Sequence, residues 1–580
     1  MDNKKFLHCL RIQIFPDKFA DERIANIVEC SKKYGFGNVM LFINAEEYNL
    51  GHMTVAEAKK YVETMKKAKA ALEKEGITVS LNSWMELGHV DRCHTLKEGQ
   101  NFTVMTDHNG KKASITACPL CENWWGYFSE FYSYLLSELT PDTVWIEDDF
   151  RLHNHGELSY GGCFCPLHMA EYSRHMGEEM SREQFTERLF SGDEKVKKAW
   201  LDVNRECMVS LARKIGALVK RVSPSTRVGL MSSSPENHAS EGRDWEGIHR
   251  GLAAGGEMIN RIHLPYTNEV SAKSYFRRFN ALSTVVRTLI PDECRVYPEI
   301  ENAVFSTFAK DAEMLRFQVE SAAVLGLSCR YSTEKEFNGE IVALSRGSVN
   351  NFTDGELRKL FAENKIILEG GAVFALFERG LSDLIGAEKA ELMRPEVDPY
   401  SFEGARDGVT VGGIRGRRVS AFKNSGEYVK ITYEKEPKIL TDLYTYSGEL
   451  FGNGIAEGEG FYIIPYVIGS TVPWEQYNEL RALPLEDFVG RNASEAVISG
   501  YAGVYPYLYY REERLLMVVN STERSFEAIE LELVGIDVTH AEAVDRRSGK
   551  RVKVGVTKKE GKTSFDIPLP TLTTALIVLK

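Results

Sequence analysis

Residues 143–150, in the first third of the chain, begin as an apolar run and then contain three acidic side chains. Glu147, Asp148 and Asp149 are adjacent, and Arg151 comes two residues later. Carboxylates this close together repel one another, so they lower the stability of a fold unless a substrate, a metal ion or a cation uses them. This stretch is therefore the first candidate for a functional site.

A group of metal-ligand residue types follows the acids. Cys163, Cys165 and His168 form a Cys-x-Cys-x-x-His pattern. Structural zinc takes four cysteine or histidine ligands in a tetrahedron, and ligands often come in sequence-close pairs. Cys118 or Cys121, in an earlier loop, can supply the fourth ligand. A fully ligated zinc would be structural and would fasten two loops together; reduced cysteines without metal are the alternative.

The elements that would position these residues alternate along the first 370 residues. Short apolar runs predict strands, and between them lie longer stretches with apolar residues at helical spacing. The predicted strands are 6–15, 38–45, 77–84, 143–150, 227–234, 258–265, 294–302 and 327–333. The predicted helices are 21–35, 54–76, 121–140, a long region within 166–222, and segments near 244–255, 271–290, 309–326 and 355–369.

Strands that are apolar on both faces, each followed by a helix, indicate a parallel sheet buried on both sides. Eight such units predict an α/β fold, a (β/α)8 TIM barrel over residues 1–370. A doubly wound open sheet is the alternative, but no Gly-x-Gly-x-x-Gly follows the first strand. A smaller α/β domain is predicted at 371–488. Short alternating strands predict an antiparallel β-sandwich at 489–580.

Catalytic groups of barrel enzymes lie at the carboxyl ends of the strands. The fourth predicted strand ends in the three acids, and the seventh ends in Glu299 and Glu301, which share one face because side chains alternate. Carboxylates facing each other across a barrel mouth suit glycoside hydrolysis, in which one protonates the leaving oxygen and the other attacks the anomeric carbon or activates water. Asn82, Trp84 and Trp145 lie on or near the same strand ends, where aromatic rings can stack on sugars. Alternatively, the acids only pair with nearby arginines.

The composition excludes several classes of protein. A chain of 580 residues with 43% hydrophobic and 27% charged residues is typical of a soluble globular protein of several domains. The net charge of −12 argues against nucleic acid or an anionic membrane surface as the main partner. The N-terminus has no secretory pattern, and the clustered cysteines do not form a disulfide framework. We therefore expect a cytoplasmic protein without a membrane span.

On these motifs the chain resembles the family 42 glycoside hydrolases, the β-galactosidase group. That family has Asp-Asn-Glu-Tyr at the end of strand four and then a Cys-x-Cys-x-x-Cys cluster; this chain has EDDF at 147–150 and CFCPLH at 163–168. The family's fourth zinc cysteine stands in a Cys-Pro context, which Cys118-Pro119 matches. The likeness covers residues 6–370, whereas the later domains match by order and character.

The resemblance implies a retaining, exo-acting β-glycosidase. Its nucleophile would be Glu299, with Glu301 as a rival that could instead contact the sugar. Its general acid/base would be Asp149, one methylene shorter than the family's glutamate. Asp148, at the family's asparagine position, would hold sugar hydroxyls together with Arg151.

The resemblance also implies a structural zinc ion on Cys118, Cys163, Cys165 and His168, no organic cofactor, and a homotrimer. Because the acid pair departs from the family pattern, galactose is not fixed as the sugar. Two alternatives stay open: an inverting glycosidase or one of unusual specificity, and a non-catalytic carbohydrate-binding relative.

Overall fold

The computed structural model describes residues 8–45, 48–84, 86–89, 91–152, 156, 158–159, 161–233, 235, 238, 241–262, 272–300, 310–322, 337–394, 397–406, 408–409, 418–420, 427–467, 479–501, 503–510, 513–545 and 549–580. The chain divides into two compact units. The first comprises Met1–Leu264 and Val286–Glu299, and the second comprises Pro265–Val285 and Ile300–Lys580.

Strands and helices alternate in the first unit. Its strands are β1 (His8–Gln13), β2 (Phe36–Phe42), β3 (Thr78–Asn82), β4 (Val104–Thr106), β5 (Lys112–Ala117), β6 (Thr143–Ile146), β7 (Arg227–Ser232), β8 (Ile259–Ile262) and β9 (Arg295–Pro298). The helices up to β9 are α1 (Ala20–Tyr34), α2 (Val55–Glu73), α3 (Glu122–Leu139), α4 (Pro166–Met176), α5 (Arg182–Phe190), α6 (Glu194–Val222), α7 (Trp245–Ala253) and α8 (Ala272–Leu289).

Seven of these strands form one parallel sheet in the order β1-β2-β3-β6-β7-β8-β9. Every neighbouring pair is parallel, and at least one helix lies in the chain between each two successive strands of this sheet. The predicted α/β barrel fold is thus confirmed for its first seven strands. The eighth predicted strand, 327–333, lies outside the described residues. Antiparallel β4 and β5 lie between the third strand and the third helix, where the sequence pattern predicted no strand.

Side chains inside the curved sheet form two layers. The lower layer is apolar and brings together residues of six strands, namely Cys9, Met40, Trp145, Met231, Ile259 and Tyr297. Because strand side chains alternate in direction, the next inward position on each strand lies two residues further toward its carboxyl end. These positions are Arg11, Phe42, Asn82, Glu147, Ser233, Arg261 and Glu299. Six of these seven side chains are polar or charged, so the barrel has an apolar lower layer and a mostly polar upper layer at the ends of its strands.

The second unit begins with mixed α/β structure. Its elements up to residue 492 are α9 (Ala312–Ser321), β10 (Ile341–Leu344), α10 (Arg346–Val349), α11 (Asp354–Glu363), β11 (Lys365–Glu369), α12 (Gly370–Glu378), β12 (Ala387–Met393), β13 (Tyr400–Ala405), β14 (Arg418–Ser420), β15 (Glu427–Tyr433), β16 (Lys438–Ile439), β17 (Thr441–Thr445), β18 (Leu450–Asn453), β19 (Ala456–Glu457), β20 (Phe461–Ile464), β21 (Tyr466–Val467) and α13 (Glu479–Asn492).

The helix predicted near 355–369 is shorter than expected. It ends at Glu363, and Lys365–Glu369 forms β11, which pairs in parallel with β10 and β20. Ile366, Ile367 and Leu368 of β11 are all buried. A short apolar run of this kind occurs in buried strands as well as in buried helices, so the sequence pattern did not distinguish the two.

The end of the chain is an antiparallel sandwich, as predicted. Its strands are β22 (Ala496–Ile498), β23 (Val504–Tyr510), β24 (Arg514–Asn520), β25 (Ile529–Val534), β26 (Ala541–Val544), β27 (Arg551–Val554), β28 (Val556–Lys559), β29 (Lys562–Phe565) and β30 (Thr573–Leu579). They form two sheets, β22-β25-β29-β28 and β23-β24-β30-β26-β27, whose inner side chains share one core. The domain boundaries after residues 370 and 488 remain predictions. Within the part of the chain that is described, no helix is long and apolar enough to cross a membrane.

Candidate active site and metal centre

Two arginines and two glutamates of the upper layer form a closed ring of ion pairs. Arg11 on β1 places one Nη atom 2.8 Å from Glu147 and the other 3.3 Å from Glu299. Arg261 on β8 lies 3.1 Å from the second oxygen of Glu147 and 3.5 Å from the second oxygen of Glu299. The charges of these four groups balance, so each acid is compensated on both oxygens.

The two glutamates of this ring differ in accessibility. The Glu299 side chain is 17% exposed and that of Glu147 only 3%. Burial raises the pKa of Glu147, and the charges of Arg11 and Arg261 oppose that rise. Glu299 is therefore the acid of the ring that a ligand can reach, and Glu147 fills the space behind the arginines.

Asn82, predicted to contact a sugar, belongs to the same network. Its Oδ1 accepts from Arg11 at 3.0 Å, and its Nδ2 donates to the Trp145 carbonyl at 3.2 Å. The Trp145 side chain lies in the apolar layer below, edge-on to Tyr297. Its ring thus packs one layer beneath the acids.

Asp148 interacts with a second buried arginine, Arg151, and with two further polar side chains. Ser233 donates to its Oδ2 at 2.8 Å, Arg151 lies 3.5 Å away, and the Nδ1 of His89 lies 3.1 Å from its other oxygen. Although burial alone would raise its pKa, the charge of Arg151 and the contact with His89 hold the pKa of Asp148 well below its usual range. Asp148 is therefore ionised, and the fully buried Arg151 orients it together with Ser233.

Trp84 stands at the end of β3 with a φ of +60°, which is strained for a bulky side chain. Its ring stacks on His89 with centroids 4.7 Å apart, and the Arg92 guanidinium lies 5.5 Å from it. His89 covers one face of the indole, so Trp84 fixes the imidazole that approaches Asp148.

Asp149 has a different environment from the other acids. It is 1% exposed, and its Oδ2 accepts from the backbone N–H groups of Glu86 at 2.9 Å and Gly88 at 2.7 Å. Its Oδ1 is buried and accepts no hydrogen bond from the described residues. Asp149 thus binds the loop that follows β3 and has no arginine partner among the residues described.

The four predicted metal ligands come together. The ligand atoms of Cys118, Cys163, Cys165 and His168 all lie within 4.8 Å of one another, and all four residues are buried. Cys118 Sγ is 3.2 Å from His168 Nδ1, and Cys165 Sγ is 3.5 Å from Cys118 Sγ and 3.7 Å from His168 Nδ1. Cys121, the alternative fourth ligand, instead accepts from the Thr103 N–H at 3.1 Å.

These residues fit a tetrahedral metal ion. Bond lengths of roughly 2.0–2.3 Å to nitrogen and sulfur place neighbouring ligand atoms about 3.5–3.8 Å apart, close to the separations in the cluster. The cysteines belong to loops after β5 and β6, and His168 is in the first turn of α4. A metal ion would therefore fasten the segment that connects β3 to α3 to the segment that connects β6 to α4, and no ligand position would be left open for catalysis.

Several residues of the site were not predicted from the sequence. Glu86, Arg11 and Arg261 are at its centre, and Ser233 links two of its charged groups. The inward position of both arginines follows from the alternation of side chains along a strand, so that signal was present. Glu86 is on a polar loop, where no periodicity indicates its burial. Glu301 lies outside the described residues.

The fold and this site together define a (β/α)8-barrel protein with opposed strand-end carboxylates and a Cys3His cluster beside them. No family model and no curated protein matches the chain. Among solved structures it is similar to a family 42 glycoside hydrolase, the β-galactosidase Gan42B from G. stearothermophilus, with a TM-score of 0.52 and 10% identity over 99% of this chain and 98% of that one. The cold-adapted β-galactosidase from Rahnella sp. gives 0.53 and 12% over the same shares. At these identities the likeness establishes the fold, which this chain shares along nearly its whole length.

Proposed function

We propose that this protein is a glycoside hydrolase that resembles β-galactosidases and cleaves a β-glycosidic bond with retention of configuration. The observation that carries the proposal is the position of Glu299, an accessible carboxylate held between two arginines at the mouth of the barrel. The acids at the end of β6 lie across the same mouth. The fold shared with two β-galactosidases supports the same activity.

Glu299 is the proposed nucleophile. Two guanidinium groups within 3.5 Å favour its ionised form, which attack on an anomeric carbon requires. The bond from a Glu299 oxygen to the anomeric carbon forms as the glycosidic bond breaks, and the result is a glycosyl ester.

Asp149 is the proposed general acid/base. It would donate a proton to the leaving oxygen in the first half-reaction and take one from the attacking water in the second. Its Oδ2 is occupied by two backbone N–H groups, which leaves Oδ1 for this exchange. Asp148 is too strongly ionised to be a proton donor, and its charge suits the acceptance of hydrogen bonds from sugar hydroxyls.

A second candidate is a carbohydrate-binding protein without hydrolytic activity. The burial of Asp149 and its two backbone hydrogen bonds favour this candidate, because a carboxylate that only anchors a loop needs no contact with substrate. The ligand class is the same for both candidates, and turnover distinguishes them.

The test is a panel of aryl β-glycosides assayed with the wild-type protein and with Glu299→Gln. We expect at least one substrate to be hydrolysed, its product to keep the β configuration in NMR spectra recorded before mutarotation, and Glu299→Gln to lose about 10³-fold or more in kcat. Glu293→Gln is the matched control, because this exposed glutamate on the same segment pairs only with Arg250 among the residues described. Wild-type-like turnover by Glu299→Gln would refute the assignment. Ligand-induced stabilisation without turnover of any substrate would favour the binding protein.

We also propose the homotrimer, the zinc identity of the metal and the cytoplasmic location that the resemblance implies. Sedimentation equilibrium and metal analysis of the purified protein test the first two, and fractionation of the producing cells tests the third.

A further inference from the structure

Glu86, on the loop after β3, is one of the most completely buried acids of the first unit, with 1% of its surface exposed. Its Oε1 accepts from the Ser83 hydroxyl at 3.1 Å and from the Tyr132 hydroxyl. Its Oε2 accepts from the Glu147 N–H at 3.0 Å. Hydrogen bonds from β3, α3 and the end of β6 therefore hold this carboxyl group in one orientation.

Each of the carboxyl groups of Glu86 and Asp149 accepts hydrogen bonds from the backbone of the other's segment. The loop of Glu86 donates two backbone N–H groups to Asp149, and the strand end of Asp149 donates the Glu147 N–H to Glu86. The loop after β3 and the end of β6 are therefore joined to each other through these two carboxyl groups. Each is placed by the backbone of the other's segment.

This pair differs from the other acids of the site in its charge compensation. Glu147 and Glu299 share two arginines, and Asp148 has Arg151. Among the described residues, no lysine or arginine nitrogen lies within ion-pair distance of Glu86 or Asp149. In a buried site without a cation, neighbouring carboxylates repel each other, which favours the protonated form of Glu86.

The groups that face Glu86 act on its protonation in a consistent direction. Burial raises the pKa of Glu86 well above its usual range, and the charge of Asp149 raises it further. Tyr132 opposes the rise by donating to the carboxylate, while the charge of Glu147 adds to it.

We propose that Glu86 is a positioning residue for the general acid/base Asp149, and that these two carboxyl groups share the single proton that is delivered to the glycosidic oxygen. This inference rests on the proposed function and deepens it. The proton leaves the pair as the glycosidic bond breaks and the bond to Glu299 forms. A proton from water returns to the pair as water attacks the anomeric carbon and the ester bond to Glu299 breaks.

Two variants should move the pH profile in opposite directions. In Glu86→Gln the neutral amide no longer repels ionised Asp149, so the basic limb of the kcat/KM profile should shift by about one pH unit or more toward acid. In Tyr132→Phe the carboxyl pair loses a hydrogen bond to its ionised form, so the basic limb should shift toward alkali. A purely structural role predicts lower activity in both variants with the limb unmoved, and that result would overturn the proposal.

Leaving-group dependence gives a second test of the same variants. A dinitrophenyl glycoside needs little protonation of its leaving oxygen, whereas a methoxyphenyl or alkyl glycoside needs it fully. Glu86→Gln should lose about tenfold or more in kcat/KM for the poor leaving group at pH 8 and about twofold or less for the activated one. Equal losses on both substrates would count against the shared proton.

A measurement without substrate separates this inference from the proposed function. Infrared difference spectra of wild-type protein against Glu86→Gln at pH 7 should contain the C=O stretch of a protonated carboxyl group. If this band is present but no glycoside is hydrolysed, the carboxyl pair stands and the hydrolase proposal fails. If glycosides are hydrolysed but the band is absent, the shared proton is refuted and the hydrolase proposal stands.

Discussion

Arg11, on the first strand of the barrel sheet, lies 3.3 Å from Glu299, which follows the last described strand of that sheet. Six strand spacings separate β1 from β9 along the sheet, which would be about 29 Å if the sheet were flat. The contact is therefore possible only because the sheet curls round until its two edges approach. Arg11 brings together acids that are 152 residues apart, Glu147 and Glu299.

The ion-pair ring predicts a strong energetic coupling between Arg11 and Glu147. Among the described residues, Arg11→Met leaves buried Glu147 with Arg261 as its one remaining arginine partner, so we expect the free energy of unfolding to fall by about 3 kcal/mol. Adding Glu147→Gln removes the uncompensated charge, and the double variant should recover about 1–3 kcal/mol relative to the sum of the single effects. Urea unfolding of the four proteins measures this cycle. Strictly additive losses would show that the two side chains do not interact.

Much of this barrel was predictable from the sequence because its strands are short apolar runs and each is followed by a helix. The period of two places Glu299 inward, and the same period places Arg11 and Arg261 there, although charged residues in apolar strands were not expected to face one another. The ring neutralises their charges, which is a tertiary effect that no local pattern contains. The burial of Glu86 was the least predictable feature. Its carboxyl group is placed by a backbone N–H and by the hydroxyl of Tyr132, which are distant from it in the sequence.

The metal cluster was predictable for a different reason. Ligand chemistry restricts the residue types, and the short spacing of Cys163, Cys165 and His168 is visible in the chain. The choice between Cys118 and Cys121 depended on the turn before α3, where two residues separate the thiols and residue type alone does not distinguish them. In the structure, Cys118 belongs to the cluster, whereas the Cys121 sulfur accepts a hydrogen bond from a backbone N–H.

Metal content should depend on the cluster and not on the neighbouring thiol. We expect about one zinc ion per chain in the wild-type protein, because three sulfurs and an imidazole fill a tetrahedral site. Cys165→Ser should hold less than half as much and should melt at a lower temperature, and a chelator should lower the melting temperature of the wild type. Cys121→Ser is the control and should keep the metal. Zinc loss in both variants alike would contradict the assigned ligand set.

Gly162, next to the first cysteine of the metal loop, has a φ of +88°, and a Cβ there would lie 2.7 Å from the Asn204 amide nitrogen. Gly192 has a φ of +87° with open space around the same position. Both alanine variants strain the backbone, at about 1 kcal/mol, but Gly162→Ala must also displace Asn204, which adds about 1–3 kcal/mol. The melting temperature and the zinc content should therefore fall further in Gly162→Ala than in Gly192→Ala. Equal losses would mean that the close approach is unimportant.

The raised pKa of Glu86 makes stability depend on pH in a direction that can be worked out. Unfolded Glu86 loses its proton near pH 4.3, whereas the folded protein retains it to a higher pH. Between these limits the folded state holds more protons, so its stability falls as pH rises, by up to about 1.4 kcal/mol per pH unit. Glu86→Gln lacks this proton, so its free energy of unfolding should rise relative to that of the wild type from pH 5 to pH 8. Urea unfolding at four pH values measures the difference. Glu293→Gln is the control and should run parallel to the wild type, because a hydrogen bond from its own backbone N–H and the charge of Arg250 hold the pKa of the exposed Glu293 carboxylate below its usual value. A Glu86→Gln curve parallel to the wild type would mean that Glu86 is ionised in the folded protein.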